Sequence, residues 1–543
     1  MTNDYSDVTA CPDTITLTEL VSVPQPASST GRSAMKETFS IVSAEQAEPV
    51  SDVSRSRAIV IIACITCITG IGNLLAGLLT VGIPVIATDL DIPPTQQLWP
   101  TAAFALACGC TLLPCGAAAD IVGPRRVSLL GGLFQAASAL GAGLATTPVQ
   151  LILLRATAGL AASCCLPGAV GVAAKLFPVN NSPRRRSIAF AAMGGGQAVG
   201  FGLGLVLGGI FSDTVGWRWG FYVTAILNGA VLALALWVLP RDIDGGPFNR
   251  SSFSRLAREV DWIGALLIST CLALLSYELA VATGSSAEGS IRQPLHITIL
   301  CTAIVLLPAF VLWMHRQARL GRPALIPNSM WTNLPFAAIC VTVFLVWGTL
   351  NASEQLTALY LQDVRGASAF TSSLYFLPAP VCGLLMNIAI GGLLPYLRPS
   401  FAVPAGCLVS GIAPLLLATL SHLDGPGYWH GIFQAMALNP LGADLIYTIA
   451  NLVMTAAFPS QTQALAGSVF NMLAQIGKSV GIATSALIAR QITTAHSDFM
   501  GQKEALLLGY RGGWWYNCAL SFLSVAISFY GLKGLGKLEI KRD

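Results

Sequence analysis

The sequence predicts an all-helical, polytopic membrane protein with fourteen transmembrane helices ordered six, two and six. Three observations carry that prediction. Only 10% of the 543 residues are charged while 54% are hydrophobic, against roughly a quarter charged in a soluble domain. Apolar runs long enough to cross a bilayer, about 20 residues each, recur along nearly the whole chain. Lys and Arg concentrate in alternate connections between those runs, where the positive-inside rule places cytoplasmic loops. With a mean hydropathy of +0.68, most segments would be insoluble as exposed surface, so the bilayer is the natural solvent.

In chain order, residues 1–56 are rich in Ser, Thr, Pro, Asp and Glu. They lack a sustained apolar period and are expected to form a disordered cytosolic tail, without the basic start and immediate apolar core of a cleavable signal. Six apolar runs follow, at 59–83, 101–119, 127–144, 151–173, 188–211 and 219–239. A polar, basic connector over 240–261 leads to runs at 262–282 and 297–314, and then to a basic turn at 315–323. The last six runs lie at 335–358, 372–394, 401–420, 429–457, 464–489 and 514–532. The expected domains are a tail (1–56), a six-helix bundle (57–240), a connector with two extra helices (241–330), a second bundle (331–535) and a second cytosolic tail (536–543).

With the amino terminus inside, Arg125, Arg126, Arg184, Arg185, Arg186, Arg316, Arg319 and Arg322 fall in cytoplasmic connections, and Lys537 and Lys541 in a cytosolic carboxyl tail. Fewer basic residues, such as Arg218, Arg292 and Arg365, fall outside. The sequons at Asn180 and Asn249 lie in loops placed inside, and Asn351 too close to the bilayer to accept a glycan.

Several classes are excluded by what the chain lacks. The fourteen Cys show neither metal-site spacing nor a disulfide framework and read as packing residues, with Cys164-Cys165 and Cys108-x-Cys110 as the pairs open to redox chemistry. No Gly-rich phosphate loop points to ATP, and no Ser-His-Asp or metal cluster points to an enzyme, so no cofactor is expected. The net charge of +4 sits in short loops rather than on one face, so no nucleic-acid partner is expected.

Between the second and third runs stands Gly116-Ala-Ala-Ala-Asp120-Ile-Val-Gly123-Pro-Arg125-Arg126. Gly116 permits close helix approach, Gly123 a tight turn, and the Arg pair anchors the loop at the inner face. Asp120 suits a place against a positive helix amino terminus or an Arg. This segment closely resembles the loop signature of the major facilitator superfamily, which implies two six-helix bundles around a cavity and a gating role for these residues. Two further stretches are similar to elements of that superfamily. Arg155-Ala-Thr-Ala-Gly159 resembles its Arg-xxx-Gly element, which implies proton coupling, although Arg155 near a helix end also fits snorkelling to the surface. The Gly-rich fifth run, with Gly200, Gly204, Gly208 and Gly209, resembles the helix-packing motif of exporters, with Leu205 standing where that motif has Pro.

Trp217-Arg218-Trp219 and the layout of six, two and six helices resemble the fungal fourteen-helix drug:proton antiporters, the aminotriazole-resistance group included. The acid typical of the first helix is missing around Asn73. The resemblance implies proton-coupled export of a small amphiphilic toxin, drug or secondary metabolite, with protons and membrane lipids as partners, a monomeric state and a plasma-membrane or vacuolar location. Import of an iron chelate or nutrient, and a non-transporting sensor on the same fold, are the alternatives. Coupling candidates are Arg155, Glu354, Asp444 and Lys478. By distance from the turn near Gln461, Asp444 and Lys478 share a depth, and they are expected to pair, either as a coupling element or as a static fastening. Asn73, Gln197, Asn228, Gln434, Asn451 and Gln475 are candidate cavity residues, with walls expected to be predominantly apolar.

Overall fold

In the computed structural model, the described residues are 54–93, 96–177, 183–244, 249–282, 293–393, 398–423, 428–457 and 460–533. The expected tails, apart from residues 54–56, and Asn180 lie outside them. Each apolar run coincides with a helix: α1 (Arg55–Asp89), α2 (Trp99–Val122), α3 (Pro124–Gly143), α4 (Pro148–Leu176), α5 (Pro183–Asp213), α6 (Arg218–Val238), α7 (Trp262–Ala282), α8 (Pro294–Arg319), α9 (Leu334–Leu359), α10 (Ala369–Phe376, resuming as Pro378–Leu393), α11 (Pro399–Leu420), α12 (Ile432–Ala457), α13 (Ser460–His496) and α14 (Gln502–Leu532). Among the described residues, eleven helical stretches are long and apolar enough to cross a membrane, and the protein is a multi-pass membrane protein.

Local sequence sets the helix starts. Thr147 accepts from the Gln150 amide at 3.3 Å ahead of Pro148, and Asn333 accepts from the Phe336 amide at 3.3 Å, so a side-chain oxygen replaces the missing backbone acceptor at each amino terminus. Several helices outrun their apolar segments. α8 continues through His315 to Arg319, where a turn was expected, and α14 begins at Gln502 rather than at residue 514. Backbone hydrogen bonding needs no apolar side chain, so a helix can continue past the hydrocarbon slab into the polar interface.

Helices α1–α6 pack on one another, as do α9–α14, and the two groups hold themselves together by different chemistry. In the first group α1 and α5 meet backbone to backbone. A Cβ on Gly200 would strike Gly70, one on Gly204 would strike Leu74 and one on Gly208 would strike Leu78. The four-residue period repeats on both helices, so the stripe runs down a single face. In the second group small polar side chains join α9, α13 and α14: Ser485 donates to Asn517 at 2.6 Å, Asn517 to Ser353 at 3.0 Å and Ser521 to Thr349 at 3.1 Å. Outward faces are apolar and uncovered, with Leu312 69% and Ile388 68% exposed, as lipid contact requires.

The groups touch chiefly along two seams, α5 with α10 and α2 with α13, with lighter contact of α1 on α9 and α10. α7 lies against α2 and α13, and α8 packs on α7. The buried Asp261 fastens this extra pair, accepting from the Trp313 indole at 3.0 Å, the Gly264 amide at 2.9 Å and the Leu325 amide at 3.4 Å.

Candidate functional site: a polar cavity between two helix groups

Gly123 sits at a φ of 111°, in the region that favours glycine, and ends α2 as α3 begins. Pro124 has no amide hydrogen to satisfy. The next two amides, of Arg125 and Arg126, donate to Asp244 at 3.1 and 3.4 Å, and the Arg126 guanidinium lies 3.5 Å from the same carboxylate. Arg125 donates to the Leu239 carbonyl at 2.9 Å, and Lys175 to the Ile243 carbonyl at 3.1 Å. Asp244, 7% exposed, thus caps α3 and complements its dipole. It stands so close that any side chain at Gly123 would collide with it. Sequence reasoning missed Asp244, which closes a short 3-10 helix, Arg241–Asp244, 119 residues beyond its partner. Asp120 is exposed and interacts with Lys175, and Gly116 faces Ser468 of α13 and Pro167 of α4.

At the other end, the far end, the two groups are latched together. Asp213, at the close of α5, accepts from the Ala369 and Phe370 amides at 3.2 and 2.9 Å and so caps α10, while Ser368 accepts from the third amide, of Thr371, at 3.2 Å. α9 leaves α-helical geometry in a π turn, Tyr360–Val364, and within it Gln362 donates to the Val81 carbonyl of α1 at 2.8 Å. Gln355 donates to Thr80 at 3.1 Å. One apolar cluster runs through this end, from Leu75, Leu78 and Leu79 of α1 to Leu356, Tyr360 and Phe376.

Between these ends lies a cavity of about 60 Å³ lined from both groups, by Asn73 of α1, Gln135 of α3, Gln197 of α5 and Gln475 and Lys478 of α13, with Phe104 and Leu166 as apolar wall. Asn73 donates to Gln197 at 3.2 Å. The walls are more polar than the expected apolar lining, because Asn73, Gln135 and Gln197 of the first group and Gln475 and Lys478 of the second line it. Arg155 lies beside this centre, 1% exposed, over the Phe104 ring at 4.6 Å and donating to the Pro100 carbonyl at 3.4 Å. It does not snorkel to the surface. One of its terminal nitrogens has no partner, a costly placement for a buried polar group.

The expected Asp444–Lys478 pair is absent among the described ion pairs. Asp444 faces Asn387 and Gly383 of α10. Lys478 instead interacts electrostatically with Glu354 of α9, whose carboxylate takes the Asn439 amide at 3.5 Å. Sharing a depth does not make two side chains face one another: each residue step turns a helix by about 100°, and α12 presents Asp444 to α10 rather than to α13. Gln434 is likewise not a cavity residue. It is exposed, donating to the Trp429 carbonyl at 2.6 Å and accepting from Gly431 at 2.8 Å, and so closes the start of its own helix. Asn228 is buried on α6 away from the cavity lining, with its amide nitrogen unpaired. The side chain of Asn451 lies outside the described residues. Gly209 turns from the α1 seam to face Phe370 and Ser373 of α10.

Two helix groups enclosing a shared polar cavity define the class of membrane transporters that work between bundles. The chain belongs to the Major Facilitator Superfamily, whose family model matches residues 59–482. It is 36% identical over 531 residues to MFS-type transporter 1 of Pyricularia oryzae, covering 90% of this chain and 85% of that one. It is 23% identical to the low affinity ammonium transporter of Saccharomyces cerevisiae, covering 84% of each chain, and 30% identical to the puromycin resistance protein pur8 of Streptomyces alboniger, covering 78% of this chain and 80% of that one. A solved bacterial homologue of the human drug peptide transporters PepT1 and PepT2 shares the fold, with a TM-score of 0.61 at 15% identity over 89% of this chain and 99% of that one.

Proposed function

We propose that this protein is a proton-coupled exporter of a small amphiphilic organic compound, a toxin, drug or secondary metabolite, working by alternating access. The observation that supports this reading best is the cavity where the two helix groups meet. It carries an ionisable group, Lys478, with Glu354 and Arg155 beside it, and buried charge inside a membrane belongs to ion or substrate pathways. The kinship with a puromycin resistance protein supports export.

On this reading residues 57–240 and 331–535 form the bundles that rock about the cavity, residues 241–330 carry an extra helix pair, and the fourteen helices all span, as in the fungal drug:proton antiporters. The Gly116–Arg126 hinge faces the cytosol with both termini, and the protein works as a monomer in the plasma membrane, moving protons through Glu354, Lys478, Arg155 and Asp444. The alternative of import draws on the ammonium transporter among its relatives.

Expression in a pump-deficient yeast separates the readings. Export predicts resistance to some of a panel of toxic amphiphiles together with lower cellular accumulation, both lost in Glu354→Gln. Higher accumulation, or growth on a limiting nutrient, would establish import. Ligand binding without movement in proteoliposomes under a proton gradient would make the protein a sensor.

A further inference from the structure

We propose that the central cavity takes an organic acid, docking the carboxylate or a comparable oxyanion of the cargo onto Lys478 and the amide donors of Gln135 and Gln197. This rests on the transport reading and narrows its amphiphile to an acidic one.

The first support is the hydrogen-bond inventory of the walls. The side-chain carbonyl of Gln135 already accepts from the Cys165 thiol at 3.6 Å, and that of Gln197 accepts from Asn73 at 3.2 Å. Both acceptors are therefore engaged inside the protein, while among the described residues the two amide nitrogens make no bond. A Cβ built on Gly72, itself in the lining, would stand 3.7 Å from the Gln135 nitrogen, which places that donor at the cavity wall. Among the described residues the Lys478 ammonium, with three hydrogens to donate, makes no hydrogen bond, and it joins these two donors in a lining that also holds the Asn73 and Gln475 amides. A carboxylate accepts only and is the group that these three donors fit.

The second support is the charge count. The charged groups around Lys478 are Glu354 from α9 and Arg155 from α4, with the Cys108 thiol of α2 alongside. Asp444 is turned to Asn387. Two cations thus face one carboxylate, and Glu354 stands beyond the 4.0 Å of a closed ion pair with Lys478. The centre carries an unmatched positive charge, and Arg155 keeps a buried nitrogen without a partner.

The third support is size. A void of about 60 Å³ exceeds the roughly 10–15 Å³ that a single water needs, and so admits waters or a carboxylate-sized head group. It is an anchor for the polar end of the cargo, with Phe104 and Leu166 beginning the apolar wall for its body. Glu354 is the countercharge of Lys478 while the anchor is empty, and the bound acid adds the second negative charge.

The test uses full-length protein in detergent and matched acid and amide probes of growing apolar body: benzoate with benzamide, 1-naphthoate with 1-naphthamide, and 4-phenylbutyrate with 4-phenylbutyramide. Thermal stabilisation titrated with each probe reports binding. At least one acid is expected to bind more tightly than its amide. Lys478→Met should weaken that acid by about thirtyfold, the lower range for losing one partner of a buried charge pair, and leave the amide unchanged. Lys478→Arg should retain most of the preference, and Glu354→Gln should strengthen acid binding. If no acid exceeds its amide in wild-type protein, or if Lys478→Met binds the acid as well as wild type, the proposal is overturned. Acid binding by a protein that moves none of the acids across a vesicle membrane would sink the transport reading and keep the site.

Discussion

Two helix amino termini, at opposite ends of the molecule, are capped by an aspartate borrowed from elsewhere in the chain, and they are built for different duties. Asp244 caps α3 from within the same helix group, at 7% exposure, with Arg126 on its carboxylate and Arg125 and Lys175 holding the flanking carbonyls. Asp213 caps α10 across the seam between the groups, exposed to solvent and supported by two backbone amides alone. The chemistry is the same, a carboxylate on a positive helix end, but burial and the number of supporting bonds differ. The first is a joint that keeps one bundle rigid. The second is the weaker contact, the kind that the proposed alternating access would have to release.

That contrast can be broken by substitution, beginning where the effect should be largest. Asp244→Ala removes the carboxylate from the start of α3 and from the Arg126 guanidinium and should cost about 3 kcal/mol of stability, a lost cap together with charge-assisted hydrogen bonds, read as a lower melting temperature in detergent. Gly204→Ala drives a methyl group into the Leu74 backbone; at about 1–3 kcal/mol for overpacking, the α1–α5 seam should prove as unyielding as the joint. Asp213→Asn should cost only about 0.3–1 kcal/mol, the value of a negative charge at an exposed helix amino terminus. Its signature is a two- to fivefold shift toward the state open at the far end, measured as faster labelling of cavity cysteines from that side. Gly194→Ala, with open space around the new methyl group, should change stability by less than about 0.5 kcal/mol. A large loss there would mean that the Gly stripe is not confined to the α1 face.

Much of this architecture is legible in residue order, and the reason is local. Apolar runs mark helices because each must meet lipid along its length. The Gly116–Arg126 segment marks a turn because Gly123 and Pro124 admit little else there. The four-residue spacing of Gly200, Gly204 and Gly208 fixes a face. What order does not reveal is which way a helix turns and what it meets. Asp244 and Asp213 read as ordinary loop acids, since their partners lie 119 and 156 residues away. The Asp444–Lys478 pairing fails for the same reason, because depth along a helix is readable from position whereas rotation is settled by packing against neighbours. Gln434 shows the converse: a polar side chain in an apolar run answered a local need, the open end of its own helix, and not the cavity.

One distance reports whether the latch opens. Spin labels at Thr214 and Ser368 bracket the Asp213 latch, and labels at Thr88 and Thr214 bracket the far ends of α1 and α5. With the protein in nanodiscs and the pH or a bound probe varied, the Thr214–Ser368 distance should split into two populations whose ratio changes with conditions, while the Thr88–Thr214 distance stays single and fixed. A Thr214–Ser368 distance that never changes, or two distances that move together, would contradict a transporter that opens at the α5–α10 seam around a fixed central site.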